Sequence, residues 1–203
     1  MIAWLAGIGG GVLACAAFIP YARATIYGEA KPNPISWWIW MWLGIIVASS
    51  YLVAGGGVET AAICIAYVAG PLVLAILATR KRMKESPALT IVEICALVGG
   101  VAGLIAWIIT SDAKVGLIVC LLSEAAAAVP TVVQAWWTPR HECITAWGLM
   151  LAAAIVNLWA VKVWDDITAL QPILLVSDSG LIFLVVVIAR CCEQPPEPQE
   201  SEG

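Results

Sequence analysis

The sequence predicts an all-α membrane protein: seven transmembrane helices in a 3+1+3 arrangement of two parallel three-helix-bundle repeats. Three observations predict it. First, 62% of the 203 residues are hydrophobic and only 12% charged, against about 45–50% and about 25% in soluble domains. A water-soluble globule of that composition would expose more apolar surface than solubility allows. Second, the apolar residues fall into seven runs, each near the roughly 20 residues that a helix needs to cross the hydrocarbon. Third, the chain matches itself at a constant offset that leaves one run unpaired.

The runs are 2–26, 35–54, 58–79, 89–110, 114–137, 144–164 and 169–190. The first ends at a Gly- and Pro-containing stretch, 28–34, and the second at the glycines and Glu59 of 55–59. The third ends in the basic stretch 80–87, the fourth at 111–114, and the fifth at 138–143. The sixth and seventh are divided by the 164–166 turn, which holds Asp165 and Asp166. Alternating ten-residue patterns are absent, so helices are the structure that satisfies a backbone in lipid. The N-terminus carries no basic region ahead of its apolar run, so it reads as a permanent span rather than a cleaved signal.

Charge gives the orientation. Arg23, Lys31, Arg80, Lys81, Arg82, Lys84, Arg140 and Arg190 fall on one side of a seven-span chain, and Lys114 and Lys162 on the other. Positive charge favours the cytoplasm, which predicts a multi-pass protein of the cell (inner) membrane with its N-terminus outside and its C-terminus cytoplasmic. Trp37, Trp38, Trp40, Trp136, Trp137 and Trp147 fall at inner helix ends, and Trp4, Trp107 and Trp164 at outer ends, as an interfacial belt requires. Trp42 and Trp159 lie deeper and read as packing or pore residues. The Pro- and Glu-rich tail 191–203 reads as disordered. The net charge of −4 argues against nucleic acid as a partner.

Sliding residues 1–80 onto 111–190 gives twelve identities without a gap, where composition alone predicts roughly seven. The matched residues fall at structurally meaningful places. Pro20 pairs with Pro130, Trp37 with Trp147, Gly70 with Gly180 and Arg80 with Arg190. The units are therefore a first repeat at 1–80, a basic loop and linker helix at 81–110, and a second repeat at 111–190. Two units of the same topology need an odd helix between them to enter the membrane the same way. Parallel repeats are a known transporter plan, with binding near the midplane.

The plan, the orientation, and a proline near the inner end of the first and fifth helices resemble the PQ-loop superfamily, which includes the SWEET sugar transporters. The segments PYARATIYGEAKPNPISWWIW and EAAAAVPTVVQAWWTPRHECITAW are similar to a group of small bacterial membrane proteins. Those carry a Gly-x-x-x-Pro-Asn-x-x-Ser/Thr-Trp string and an acidic–Pro-Thr helix. Tyr21 and Thr131 stand after the two prolines, where the superfamily's name-giving Gln would be. The resemblance implies transport of a small solute, with polar side chains supplied by the third helix of each unit. Tyr67 and Ser177 hold equivalent places in those helices.

Ionisable residues at membrane depth are functional candidates. Glu124 and Asp178 each lie about ten residues into an outside-to-inside helix, so at 1.5 Å per residue they share a depth near the midplane. Such a pair can carry a proton or attract a cationic solute. Asn157, Ser177, Ser49, Ser50 and Tyr67 are the polar candidates at matching depth, and Ser179 sits beside Asp178. Gly70 with Pro71, and Gly180, are expected to interrupt their helices, and Pro20 and Pro130 each remove a backbone hydrogen bond, which makes all five candidate hinges. Glu93 is expected to reach toward Arg82 or Lys84. The seven cysteines include no C-x-x-C pair, the lone His141 falls in a loop, and no nucleophile–base pair is visible. No enzyme activity, metal or cofactor is expected. The partners expected are the lipid bilayer and a small polar solute, with a homo-oligomer left open. The choice is between a secondary transporter working by alternating access, with a proton link, and a non-transporting receptor or scaffold.

Overall fold

The computed structural model describes residues 2–53, 58–85, 90–110, 113–161 and 170–192. Among them are seven α-helices and no strand: α1 Ile2–Tyr27, α2 Pro34–Val53, α3 Val58–Glu85, α4 Ile91–Thr110, α5 Ala113–Trp137, α6 Ile144–Leu158 and α7 Leu170–Cys192. A short 3-10 turn, Pro139–His141, joins α5 to α6. Among the described residues, two stretches, Ile2–Tyr27 and Pro172–Cys192, are long and apolar enough to cross a membrane. Pro34–Ile46 and Ile144–Leu158 are shorter apolar helices.

α3 packs against both α1 and α2, and α7 packs against both α5 and α6. Further contacts run from α1 to α6 and from α2 to α5, while α4 lies against α5 and α2. Small residues permit these approaches. Gly7, Gly10, Gly11, Ala14 and Ala17 make up most of the buried face of α1, and a Cβ on Gly10 would lie 3.3 Å from the carbonyl oxygen of Ala153 in α6. In α7 the buried stripe is Pro172, Leu175, Ser179, Ile182, Val186 and Ala189, the three-to-four spacing of one helix face. The opposite surfaces are apolar too. Leu5, Val12, Ile19 and Ile26 point outward from α1, as do Ile91, Ile94, Val98, Val101, Ile105 and Ile108 from α4.

Chain breaks follow local chemistry. Gly28 takes a positive φ of 84°, which a side chain would resist, and turns the chain out of α1. Beside it, Lys81 Nζ donates to the carbonyl of Ile26 at 3.2 Å, satisfying one of the open acceptors at the end of α1. That Lys81 is helical is a departure from expectation, because the basic segment 80–84 reads as a loop in sequence yet continues α3 to Glu85. Lys, Arg and Met are good helix formers, and cations suit a helix C-terminus.

Four further expectations are corrected. α6 stops at Leu158 rather than 164, because Trp159, Ala160 and Val161 bond three residues back and tighten into a turn. α3 and α7 run unbroken through Gly70, Pro71 and Gly180. Cys191 and Cys192 close α7 instead of opening a disordered tail; residues 193–203 lie outside the described residues. The tryptophans also sort differently. Trp37 and Trp147 are only 2% and 3% exposed and form the core with Phe18, Tyr21 and Trp40, while Trp42 and Trp159 are exposed. Trp4, Trp136 and Trp137 are exposed as a belt would have them, and the side chains of Trp107 and Trp164 lie outside the described residues.

Candidate functional site

Among the described residues, two polar groupings centred on carboxylates stand inside the bundle. The first joins α3, α5 and α7. Glu124 is followed by four alanines, 125–128, strong helix formers with little bulk. Of these, Ala127 and Ala128 are buried on the same side as Thr131, and α7 packs directly on α5. Asp178 and Tyr67 both lie within Coulombic range of Glu124. Asp178 Oδ2 and the Tyr67 hydroxyl are buried and have no hydrogen-bond partner among the described residues, a costly condition in an apolar interior. Tyr67 is held by Phe18, whose ring meets it edge-on at 6.2 Å. Ser123 and Ser179 are buried next in sequence to the two carboxylates.

The other candidates do not join this group. Ser177 is exposed, and its hydroxyl donates to the carbonyl of Ile173 at 2.8 Å, one turn back in its own helix. The α7 stripe passes through Ser179, two positions on, so helical phase turns Ser177 outward. Asn157 packs against Gly10 at the α1–α6 contact. The side chains of Ser49, Ser50 and Glu93 lie outside the described residues. Pro20 and Pro130 sit inside unbroken helices. Gly70 is a packing position rather than a hinge, since a Cβ there would fall 2.2 Å from the ring of Phe18. Gly180 meets only Leu151, at 3.5 Å, and Pro71 is fully buried.

The second grouping was not foreseen. Glu142, in the short connection between α5 and α6, is 1% exposed. Its Oε2 accepts from the Tyr21 hydroxyl of α1 and from Trp147 Nε1 of α6, the latter at 3.0 Å. Its Oε1 accepts from Gln134 Nε2 of α5 at 3.1 Å. That same Gln134 nitrogen donates to the carbonyl of Lys31, and Lys31 N–H donates to the carbonyl of His141 at 2.8 Å. Arg190 of α7 does not bond the carboxylate; it donates to the backbone carbonyls of Pro139 at 3.2 Å and Glu142 at 2.6 Å. Burial pushes the Glu142 carboxyl up to about 7, against the downward pull of the bonds from Trp147 and Tyr21, the Arg190 charge and the Gln134 bond.

A neutral counterpart stands opposite. Thr131 Oγ1 of α5 donates to Ser36 Oγ of α2 at 2.9 Å, both residues being fully buried. Tyr21 and Thr131 are the residues that follow the two paired prolines; Tyr21 reaches the connection just ahead of α6, and Thr131 reaches the first turn of α2. The one available signal for Glu142 was its place just before an apolar run, where it pairs with Pro32 at the 110-residue offset. Comparison with protein-family models, curated proteins and solved structures finds no match to this chain.

Proposed function

We propose that this chain is a seven-span protein of the cell membrane on the PQ-loop-like 3+1+3 plan, N-terminus outside. Its activity is secondary transport or facilitated passage of a small polar solute by alternating access, linked to protons. Supporting the plan, the third helix lies between the first and second in both sets, and the cross-set contacts are reciprocal, α1 with α6 and α2 with α5. The outward apolar stripes of α1 and α4 suit lipid and would be a liability in water.

The observation that carries the function is the pair of unpartnered buried groups, Asp178 Oδ2 and the Tyr67 hydroxyl, gathered about Glu124. Buried polar groups are ordinarily satisfied. An acceptor and a hydroxyl left open beside a second carboxylate, on helices from both sets, suit a solute that arrives with its own hydrogen-bond donors, or a proton. The test is flux into proteoliposomes with and without a pH gradient, comparing wild type with Glu124→Gln. The amide keeps the shape but does not titrate, so gradient-driven flux is lost while folding is kept. Gradient-driven flux at the wild-type rate in both Glu124→Gln and Asp178→Asn would sink the proton link.

A non-transporting receptor or scaffold is the second reading. It is favoured by the unbroken helices through Pro20, Pro71 and Pro130 and by the aromatic filling of the core. No flux of any polar solute would decide for it.

A further inference from the structure

The ends of α1 and α5 are tied to the opposite helix set by two crossed contacts, Tyr21 to Glu142 and Thr131 to Ser36. Their donors, Tyr21 and Thr131, are related by the same offset as the paired prolines, whereas the acceptors Glu142 and Ser36 are not, and the two ties differ in chemistry. The Thr131–Ser36 tie is a hydroxyl pair that stays neutral at every accessible pH. The Tyr21–Glu142 tie is built on a carboxyl with three donors aimed at its two oxygens and, among the described residues, no cation bonded to either of them. We propose that Glu142 is a proton-binding site which, by exchanging its charge for a proton, sets how firmly this end of the bundle is held closed. The proposal does not depend on solute transport.

The groups facing Glu142 can be taken element by element. α1 offers the Tyr21 phenol, α5 the Gln134 amide, and α6 the Trp147 indole with the Cys143 thiol just ahead of it. α7 offers the Arg190 charge, whose Nε and Nη2 donate to the backbone carbonyls of Pro139 and Glu142. The 3-10 turn carries Arg140 and His141 next in the chain. When a proton adds to one carboxylate oxygen, the new O–H needs an acceptor. The Tyr21 oxygen can turn to accept it, whereas the Trp147 N–H can only donate and stays on an unprotonated lone pair. The closed end therefore accommodates the neutral acid without losing its frame.

The direction follows from burial. Water solvates a carboxylate far better than this site does, so ionisation favours an opened, hydrated end and protonation favours the closed one. With the closed-state carboxyl at about 7 against an ordinary 4.5, the closed-to-open ratio falls by up to about 300-fold as pH rises through that interval.

The experiment is hydrogen–deuterium exchange of the 134–148 segment in the full chain, in lipid nanodiscs, from pH 5.5 to 8.5, with rates corrected for intrinsic exchange. Wild type should lose protection progressively as pH rises from 5.5 toward about 7 and level off above it. Glu142→Gln, a permanent mimic of the neutral acid, should stay protected throughout, and His141→Asn should keep the wild-type step. Tyr21→Phe removes one donor to the charged form, so its step should move to higher pH. A wild-type profile flat across this range, a step surviving in Glu142→Gln, a step lost in His141→Asn, or an unmoved step in Tyr21→Phe would each overturn the proposal.

Discussion

Gly70 and Gly180 pair at the 110-residue offset but meet different neighbours, so the same substitution should act oppositely on them. In Gly70→Ala the new Cβ would stand 2.2 Å from Phe18 Cδ2 and 2.3 Å from Cγ, where carbon atoms prefer about 3.5–4.0 Å. The ring would have to retreat by more than 1 Å, and it has nowhere to go. Phe18 is 8% exposed and meets Trp37 edge-on at 6.1 Å and Tyr67 at 6.2 Å. Overpacking of this kind costs about 1–3 kcal/mol, and Cγ is the ring atom nearest the backbone, so the upper part of that range applies. The helix gains about 1 kcal/mol from replacing Gly by Ala, which leaves a net loss of about 1–2 kcal/mol. In Gly180→Ala the nearest atom is Leu151 Cδ1 at 3.5 Å, an ordinary contact, so the helix gain stands nearly alone. The two variants should differ by about 2–3 kcal/mol. Reversible unfolding by SDS titration in mixed micelles, followed by circular dichroism, measures both. Phe18→Ala should cost less in the Gly70→Ala background than alone, because it removes the clash. Equal stability of Gly70→Ala and Gly180→Ala would refute the packing argument.

The hydrogen-bonded ties give further predictions. Thr131→Val leaves the buried Ser36 hydroxyl without its partner and should cost about 1–3 kcal/mol, much of which Thr131→Val with Ser36→Ala should recover in the same unfolding assay. Trp147→Phe removes the indole N–H from Glu142 Oε2 and should destabilise by about 1–3 kcal/mol above neutral pH, more than it does at pH 5. Since the folded-state carboxyl of Glu142 is raised from 4.5 to about 7, its contribution is fully present below 4.5 and lost as pH rises through 7. Wild type should therefore lose roughly 3 kcal/mol across that window relative to Glu142→Gln, and parallel stability profiles would count against a buried titrating carboxyl. In flux assays Asp178→Asn should follow Glu124→Gln in losing the response to a pH gradient.

Hydropathy alone placed every helix start to within two residues, and every end but those of α3 and α6, because an apolar run bounded by Gly, Pro or charge has few other ways to satisfy its backbone. It failed where the governing quantity was not hydropathy. The 80–84 segment is too polar for a membrane run, yet its Arg, Lys and Met residues favour helix, so α3 continues through it to Glu85. Glu124 and Asp178 were legible because a charge within an apolar run announces itself. Ser177 was misplaced because depth in a helix is readable from the chain while azimuth requires knowing which face its neighbours cover. Trp37 and Trp147 suit an interface or a core equally well by type, and only the stacking of α1, α2 and α6 put them inside. Glu142 was the least visible. A carboxylate in a six-residue connection reads as solvated, and its place just before an apolar run is a weak signal against that. Its partner Tyr21 lies 121 residues away, and burial, unlike hydropathy, is a property that such distant segments create only when they meet.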